Sequence, residues 1–258
     1  TVIHGEPPAQ ADMQLFFGVT PPTVHQMVLR LARKGLIERE PGEPRAIRVL
    51  VPPDQLPILR PVARRTSSDA PVYQIGMALN FIDPPIWRRF LVPGDINLAR
   101  LHAVIQIVMG WTESHLHQFI VDDALYGVPD PGGDDFGIDV KDEKKAKLSQ
   151  IAPAEGAVFR YEYDFGDGWM HTLQVVEVRP PEPGERLPRC IAGERACPPE
   201  DVGGPPGYEY FLEALRNPDH PEHDQYAAWI GGTFDPEAFD LDAVNAEIRR
   251  WQRTGRWW

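Results

Sequence analysis

Cysteine and long apolar runs are scarce in this chain of 258 residues, and each scarcity excludes a class of protein. Two cysteines cannot build the disulfide framework of a small secreted domain, so we expect a cytoplasmic location. No apolar run approaches the ~20 residues of a membrane-spanning helix, and the first residues do not resemble a signal peptide. We therefore expect no membrane partner. P-loop, nucleophile-elbow and dinucleotide-binding motifs are also absent.

Positive charge is in short supply overall, but it is distributed unevenly. The chain has 26 basic and 38 acidic residues, a net charge of −12. Residues 1–65 carry a net charge of +3, so the remainder carries −15. A basic end can meet a polyanion, whereas an acidic body repels one. The contrast predicts two domains, over residues 1–60 and 71–258, joined by a linker at 61–70.

The N-terminal pattern is helix, turn, helix and hairpin. A helix over residues 9–17 and a second helix between Pro21 and Lys34 precede a small hairpin over residues 36–50. Apolar residues recur at spacings of three and four in the second helix, and Gly35 is a typical C-terminal stop. This order of elements predicts a winged helix-turn-helix.

Thr23-Val24-His25, Lys34-Gly35 and Arg39–Ile47 resemble the DNA-binding domain of the LexA repressor. The resemblance covers about the first 50 residues, and the usual first helix would lie before Thr1, so we expect a truncated domain. Helix-turn-helix geometry would bring the second helix into the major groove of double-stranded DNA. The residues predicted near base edges are Thr20, Thr23, His25 and Gln26. Those predicted at phosphates are Arg30, Lys34 and Arg45.

The second domain is predicted to be α+β, with a mainly antiparallel sheet and C-terminal helices. A helix should begin after Asn97 and end at Gly110. Residues 180–206 read as a proline-rich loop. The predicted strands are Val72–Phe81, Ile86–Val92 and Gln118–Tyr126, and the predicted late helices are Tyr208–Arg216, Glu222–Trp229 and Leu241–Trp251.

Between these elements, Tyr161–His171 alternates aromatic and acidic residues around a glycine turn, which predicts a hairpin. A two-residue turn at Asp167-Gly168 would pair Asp164 with His171. A three-residue turn would pair Tyr163 with His171 instead, because a one-residue slip changes every partner.

Several motifs of the second domain resemble the plasmid pRiA4b ORF-3-like family, which includes passenger proteins of certain transposons. They are Trp87-Arg88-Arg89, Leu101–Gln106, Gly110–Thr112, His115-Leu116-His117, Tyr163–His171, Cys190–Asp201, Gly203-Gly204, Phe234–Pro236 and Phe239-Asp240. The resemblance implies an α+β domain associated with mobile or plasmid-borne DNA. It implies no established chemistry.

Histidines and aspartates of the hairpin and of His115-Leu116-His117 are the candidate site. Imidazole and carboxylate groups bind divalent metals, so a metal-assisted site is one interpretation. The other is that these polar groups fix loops around a tryptophan-rich core. The catalytic candidates are Asp164, Asp167 and His171, and the metal-ligand candidates are His115, His117, His171 and Asp164. Cys190 and Cys197 are spaced more widely than usual zinc ligands.

Three functions stay open. The favoured one is a DNA-binding protein, regulatory or accessory to a mobile element, whose acidic domain senses a ligand, forms a homodimer or contacts a partner. The second is a metal-assisted hydrolase or nuclease built on the candidate site. The third is a protein-interaction module that does not bind DNA. No cofactor is predicted, and a divalent metal is left open.

Overall fold

The structure is a computed structural model that describes residues 28–29, 31–39, 47–51, 70–129 and 139–255. The chain divides into two compact units, Thr1–Arg65 and Thr66–Trp258, and each is described by itself.

In the first unit a helix ends at a glycine and leads into a two-stranded hairpin. Residues 28–29 and 31–33 are helical, and Gly35 has a left-handed φ of 67°. The Leu36 N–H donates to the Leu31 carbonyl at 3.1 Å, which closes the helix end in the manner that glycine favours. Strands β1 (Ile37–Arg39) and β2 (Ile47–Val49) then pair antiparallel. The predicted stop and hairpin are both present, whereas the predicted first helix lies outside the described residues.

The second unit is built on an eight-stranded sheet with the order β10-β4-β3-β9-β8-β5-β6-β7. Its strands are β3 (Val72–Leu79), β4 (Trp87–Pro93), β5 (His117–Val121), β6 (Ala124–Gly127), β7 (Val140–Asp142), β8 (Val158–Tyr163), β9 (Trp169–Arg179) and β10 (Arg189–Glu194). All neighbouring pairs are antiparallel except β6 and β7, which run parallel. The predicted α+β class is confirmed.

Five helices accompany the sheet in the described part of this unit. They are α1 (Leu98–Met109), α2 (Leu148–Ile151), α3 (Gly204–Arg216), α4 (His223–Ile230) and α5 (Leu241–Thr254). The Asn97 side chain caps α1 by accepting from the Arg100 N–H, and Gly110 ends it with a φ of 101°, as predicted. Most of α1 is buried, because its apolar residues pack into the core with the sheet.

Two predictions about strands are wrong. The segment 118–126 is not one strand but the hairpin β5–β6, because Asp122 takes a left-handed φ of 50° and turns the chain. The proline-rich stretch 180–206 is not entirely loop, since β10 lies within it and pairs with β4 at the sheet edge. A register shift between Cys190 and Ala192 breaks the alternation by which a strand is recognised in a sequence.

A buried arginine ties the sheet edge to the end of α1. Arg88 of β4 is 2% exposed, and its guanidinium group donates to the carbonyl oxygens of Val108 at 2.7 Å and Arg195 at 2.8 Å. It donates further to the carbonyls of Trp87 and Glu194. Burial lowers the pKa of Arg88 from its ordinary value. Val108 lies in the last turn of α1, so the cation satisfies a helix-end carbonyl that lacks an intrahelical donor.

Candidate metal centre

The loop between β8 and β9 holds Asp164, which is largely buried in the second unit. Tyr163 pairs with Trp169 and Tyr161 pairs with His171, so the loop has five residues, Asp164–Gly168. Both predicted registers are therefore wrong. Asp164 takes a left-handed φ of 56°, and its side chain accepts from the Gly166 N–H at 2.9 Å. The loop closes on this aspartate and not on a tight Asp167-Gly168 turn.

Asp164 lies beside His115, which comes from the segment between α1 and β5. The His115 Nδ1 atom is 3.5 Å from Asp164 Oδ2. On the other edge of the imidazole, Nε2 is 3.2 Å from Asp201 Oδ1 and 3.7 Å from Glu200 Oε2. One ligand atom each from His115, Asp164 and Asp201 lies within 4.8 Å of the other two. Three segments that are distant in sequence thus bring three carboxylates together with one imidazole.

Glu200 is anchored through one of its two carboxylate oxygens. Oε1 accepts from the Thr112 N–H at 2.9 Å and from the Tyr163 hydroxyl at 3.1 Å. Burial, and then the nearby Glu200 carboxylate, raise the pKa of Tyr163 well above its ordinary value, so the hydroxyl remains a donor. Oε2 is buried and has no hydrogen-bond partner. The glutamate is held in place while its second oxygen faces the imidazole.

A groove of about 680 Å³ borders this cluster. His115 and Asp164 lie in its wall, together with Glu113, His117 and Phe165. A volume of this size is within the range of small-molecule sites.

His117, predicted as a metal ligand beside His115, takes part in a separate network. Its Nε2 is 2.8 Å from Glu143 Oε2, and both side chains are largely buried. Its ring stacks on that of His102 at 3.4 Å, with 5° between the planes. Burial lowers the pKa of His102, whose Nδ1 is 2.8 Å from the Tyr161 hydroxyl. These contacts give His117 partners different from those of His115.

His171 and Asp167 also form hydrogen bonds with groups outside the cluster. His171 is fully buried, and its Nδ1 lies 3.0 Å from the Trp169 carbonyl and 3.3 Å from that of Tyr161. Burial lowers its pKa to about 4, so the ring is neutral at pH 7. Asp167 Oδ2 accepts from the Gly203 N–H at 3.0 Å and fixes the chain ahead of α3.

The predicted hydrolase arrangement, five side chains around one ion, is therefore not formed. The structure brings together the side chains of His115 and Asp164. The side chains of His117, Asp167 and His171 bind other partners. The structure adds Glu200 and Asp201, which were not predicted as ligands. The sequence carries little indication of them, because an acidic pair shortly before Gly203-Gly204 is as typical of a solvent-exposed turn as of a metal site.

Neither cysteine belongs to the cluster. Both are free thiols, and burial raises the pKa of Cys190 and of Cys197. Of the predicted DNA contacts, only Lys34 lies among the described residues, where it is exposed at the end of the helix. Thr20, Thr23, His25, Gln26, Arg30 and Arg45 lie outside the described residues.

The fold and the site define a two-unit α+β protein with a histidine–carboxylate cluster. Residues 71–243 match the model of the plasmid pRiA4b ORF-3-like protein family, so the chain belongs to that family. Residues 3–46 match the model of the LexA DNA binding domain. Both predicted resemblances are confirmed.

Two relatives support the assignment of the second unit. The Uncharacterized protein y4hQ of Sinorhizobium fredii is 38% identical over 192 residues, covering 72% of this chain and 97% of its own length. The crystal structure of MM3350, a protein of unknown function from Methanosarcina mazei Go1, is similar with a TM-score of 0.60 and 36% identity. That match covers 68% of this chain and 98% of MM3350. More than a quarter of this chain thus lies outside each of these two matches.

Membrane insertion by a helix is not supported in the described residues, where no helix is both long and apolar enough to cross a bilayer.

Proposed function

We propose that this protein binds double-stranded DNA through its N-terminal unit and acts as a regulatory or accessory factor of a mobile element. The observation that carries the proposal is the match of residues 3–46 to the LexA DNA binding domain. The family of the second unit takes its name from a plasmid reading frame, which supports the link to mobile DNA. Access to DNA implies a cytoplasmic protein.

The charge distribution supports the same assignment. Residues 1–65 carry +3 and the remaining residues carry −15, so only the N-terminal unit suits a phosphate backbone. Lys34 is exposed at the helix end, next to the exposed Arg33. Arg48 of the hairpin is paired with Glu38 and is less available for DNA. The contacts that we propose are therefore Arg30, Lys34 and Arg45 at phosphates, with Thr20, Thr23, His25 and Gln26 near bases.

The second unit has a role of its own in this proposal. Both relatives are matched over at least 97% of their own length, while more than a quarter of this chain lies outside each match, and this supports a separate role for the second unit. We assign it to ligand sensing or to contact between copies of the chain. A homodimer would present two N-terminal units to two half-sites, as helix-turn-helix proteins commonly do.

The experiment is a fluorescence-anisotropy titration of the full chain against a pool of randomised labelled duplexes. The test variant is Lys34→Glu with Arg45→Glu, and the matched control is Lys144→Glu with Lys145→Glu in the acidic unit. Both variants change the net charge equally, and Lys144 and Lys145 are exposed. We expect at least about tenfold weaker binding for the test variant only, because two phosphate contacts are lost. Equal losses in both variants, or no binding of any duplex by the unsubstituted chain, would overturn the proposal.

A further inference from the structure

We propose that His115, Glu200 and Asp201 bind one divalent transition-metal ion of the Zn²⁺ or Mn²⁺ type, with Asp164 positioning the imidazole. This goes beyond the proposed DNA binding, since it concerns the second unit alone. It differs from the predicted hydrolase arrangement in its residues and involves no reaction.

Two unpartnered buried atoms face each other at the centre of the cluster. His115 Nε2 and Glu200 Oε2 have no hydrogen-bond partner, and they lie 3.7 Å apart. Asp201 Oδ1 is 3.2 Å from the same Nε2, without hydrogen-bond geometry. Ligands about 2.1 Å from a tetrahedral ion lie about 3.4 Å from one another. The nitrogen–oxygen separations therefore suit a shared ion, with Nε2, Oε2 and Oδ1 as its ligands.

Asp164 acts as a positioning residue in this arrangement. Its Oδ1 is held by the Gly166 N–H, and its Oδ2 is 3.5 Å from His115 Nδ1. When Nε2 binds the ion, Nδ1 carries the proton and points it at this carboxylate. Metal-binding histidines are commonly oriented by such a second carboxylate, which also makes the imidazole a stronger ligand.

The local charge favours a cation. Three carboxylates surround one imidazole, and in the described parts of the chain no Lys or Arg side chain forms an ion pair with any of them. A divalent ion would compensate the charge that no basic residue neutralises.

The donor set indicates the class of metal. Imidazole suits Zn²⁺, whereas carboxylates alone suit Mg²⁺, Ca²⁺ and Mn²⁺, and no thiolate is present to select a softer ion. A mixed nitrogen and oxygen set therefore favours Zn²⁺ or Mn²⁺ over Mg²⁺. The Asp201 side chain is 72% exposed, so a bound ion would be accessible to solvent.

The experiment is isothermal titration of the metal-free full chain with Zn²⁺, Mn²⁺ and Mg²⁺ in turn. We expect one equivalent of Zn²⁺ or Mn²⁺ per chain and weaker binding of Mg²⁺. Asp201→Asn should weaken Zn²⁺ binding at least about tenfold, because one anionic ligand is lost. The matched control is Asp123→Asn, an equal change of charge on the exposed β5–β6 turn, and it should leave the affinity unchanged.

Asp201→Asn is chosen because it should not disturb the fold. The side chain is 72% exposed and the backbone has a left-handed φ of 59°, which asparagine adopts readily. His115→Gln is the second variant, and thermal unfolding of both verifies that they fold. If neither variant weakens Zn²⁺ binding by more than about twofold, or if no stoichiometric binding occurs, the metal site is refuted. Either result leaves the DNA-binding proposal intact.

Discussion

Arg88 provides the sharpest test of how the second unit is held together. We consider Arg88→Met, which keeps an unbranched, mostly apolar side chain but removes every guanidinium donor. The guanidinium group joins β4 to the end of α1 through Val108 and to the segment after β10 through Arg195. It also lies over the Phe239 ring at 4.3 Å.

The substitution lowers the free energy of unfolding because it leaves buried carbonyl oxygens without a hydrogen-bond donor. The Val108 carbonyl is in the last turn of α1 and the Arg195 carbonyl follows β10, so neither has a strand or helix partner that replaces Arg88. A buried acceptor left without a donor costs about 1–3 kcal/mol, so two of them cost about 4 kcal/mol. Losing the cation from the helix end adds to this cost, whereas removing a buried charge offsets part of it.

Urea unfolding followed by tryptophan fluorescence measures this effect in the right unit, since all seven tryptophans belong to residues 66–258. The matched control is Arg89→Met on the same strand. Arg89 is exposed and lies 6.0 Å from the Trp87 ring, so this change should cost at most about 1 kcal/mol. A loss below about 1 kcal/mol for Arg88→Met, or equal losses for the two variants, would refute the assigned role.

Two further predictions concern the buried histidine and the start of α3. Burial lowers the pKa of His171 in the folded state to about 4, whereas the pKa in the unfolded chain is 6.5. The neutral ring therefore contributes to the free energy of unfolding above pH 6.5, and this contribution is lost as the pH falls toward 4. Between pH 7 and pH 5, the free energy of unfolding of the unsubstituted chain should fall by about 2 kcal/mol more than that of His171→Phe. Urea titrations at the two pH values measure this, and an equal fall in both proteins would contradict it. Gly204→Ala should destabilise the second unit by about 2 kcal/mol more than Gly231→Ala in the same titrations. Both glycines have positive φ, but a Cβ at Gly204 would lie 2.3 Å from the Asp167 carbonyl oxygen, whereas one at Gly231 meets nothing within 4 Å. Equal destabilisation by the two substitutions would show that the chain at the start of α3 shifts to accept the Cβ without strain.

Local signals were enough to predict much of the fold. The cap at Asn97 and the stop at Gly110 depend on neighbouring residues, so α1 could be predicted nearly to its ends. The same holds for the glycine stop at Gly35. The edge strand β10 could not be predicted in the same way, because prolines surround it and a register shift interrupts it.

The site was harder to predict because it depends on register and on distant contacts. Asp-Gly favours a tight turn, but the Asp164 side chain closes a wider loop and moves His171 opposite Tyr161. This register separates Asp164 from His171, the pair that had suggested catalysis. The contact between His115 and Asp201 joins residues far apart in the chain, and nothing near either residue indicates it.

The salt dependence of duplex binding by the full chain tests the proposed DNA-binding role most directly. Three basic side chains, Arg30, Lys34 and Arg45, are proposed to contact phosphates. Each contact releases counterions, so a plot of log K against log salt concentration should have a slope of about −3 per N-terminal unit. Weak binding that disappears steeply as salt rises is the predicted result. A slope near zero, or no binding at low salt, would contradict the proposed role.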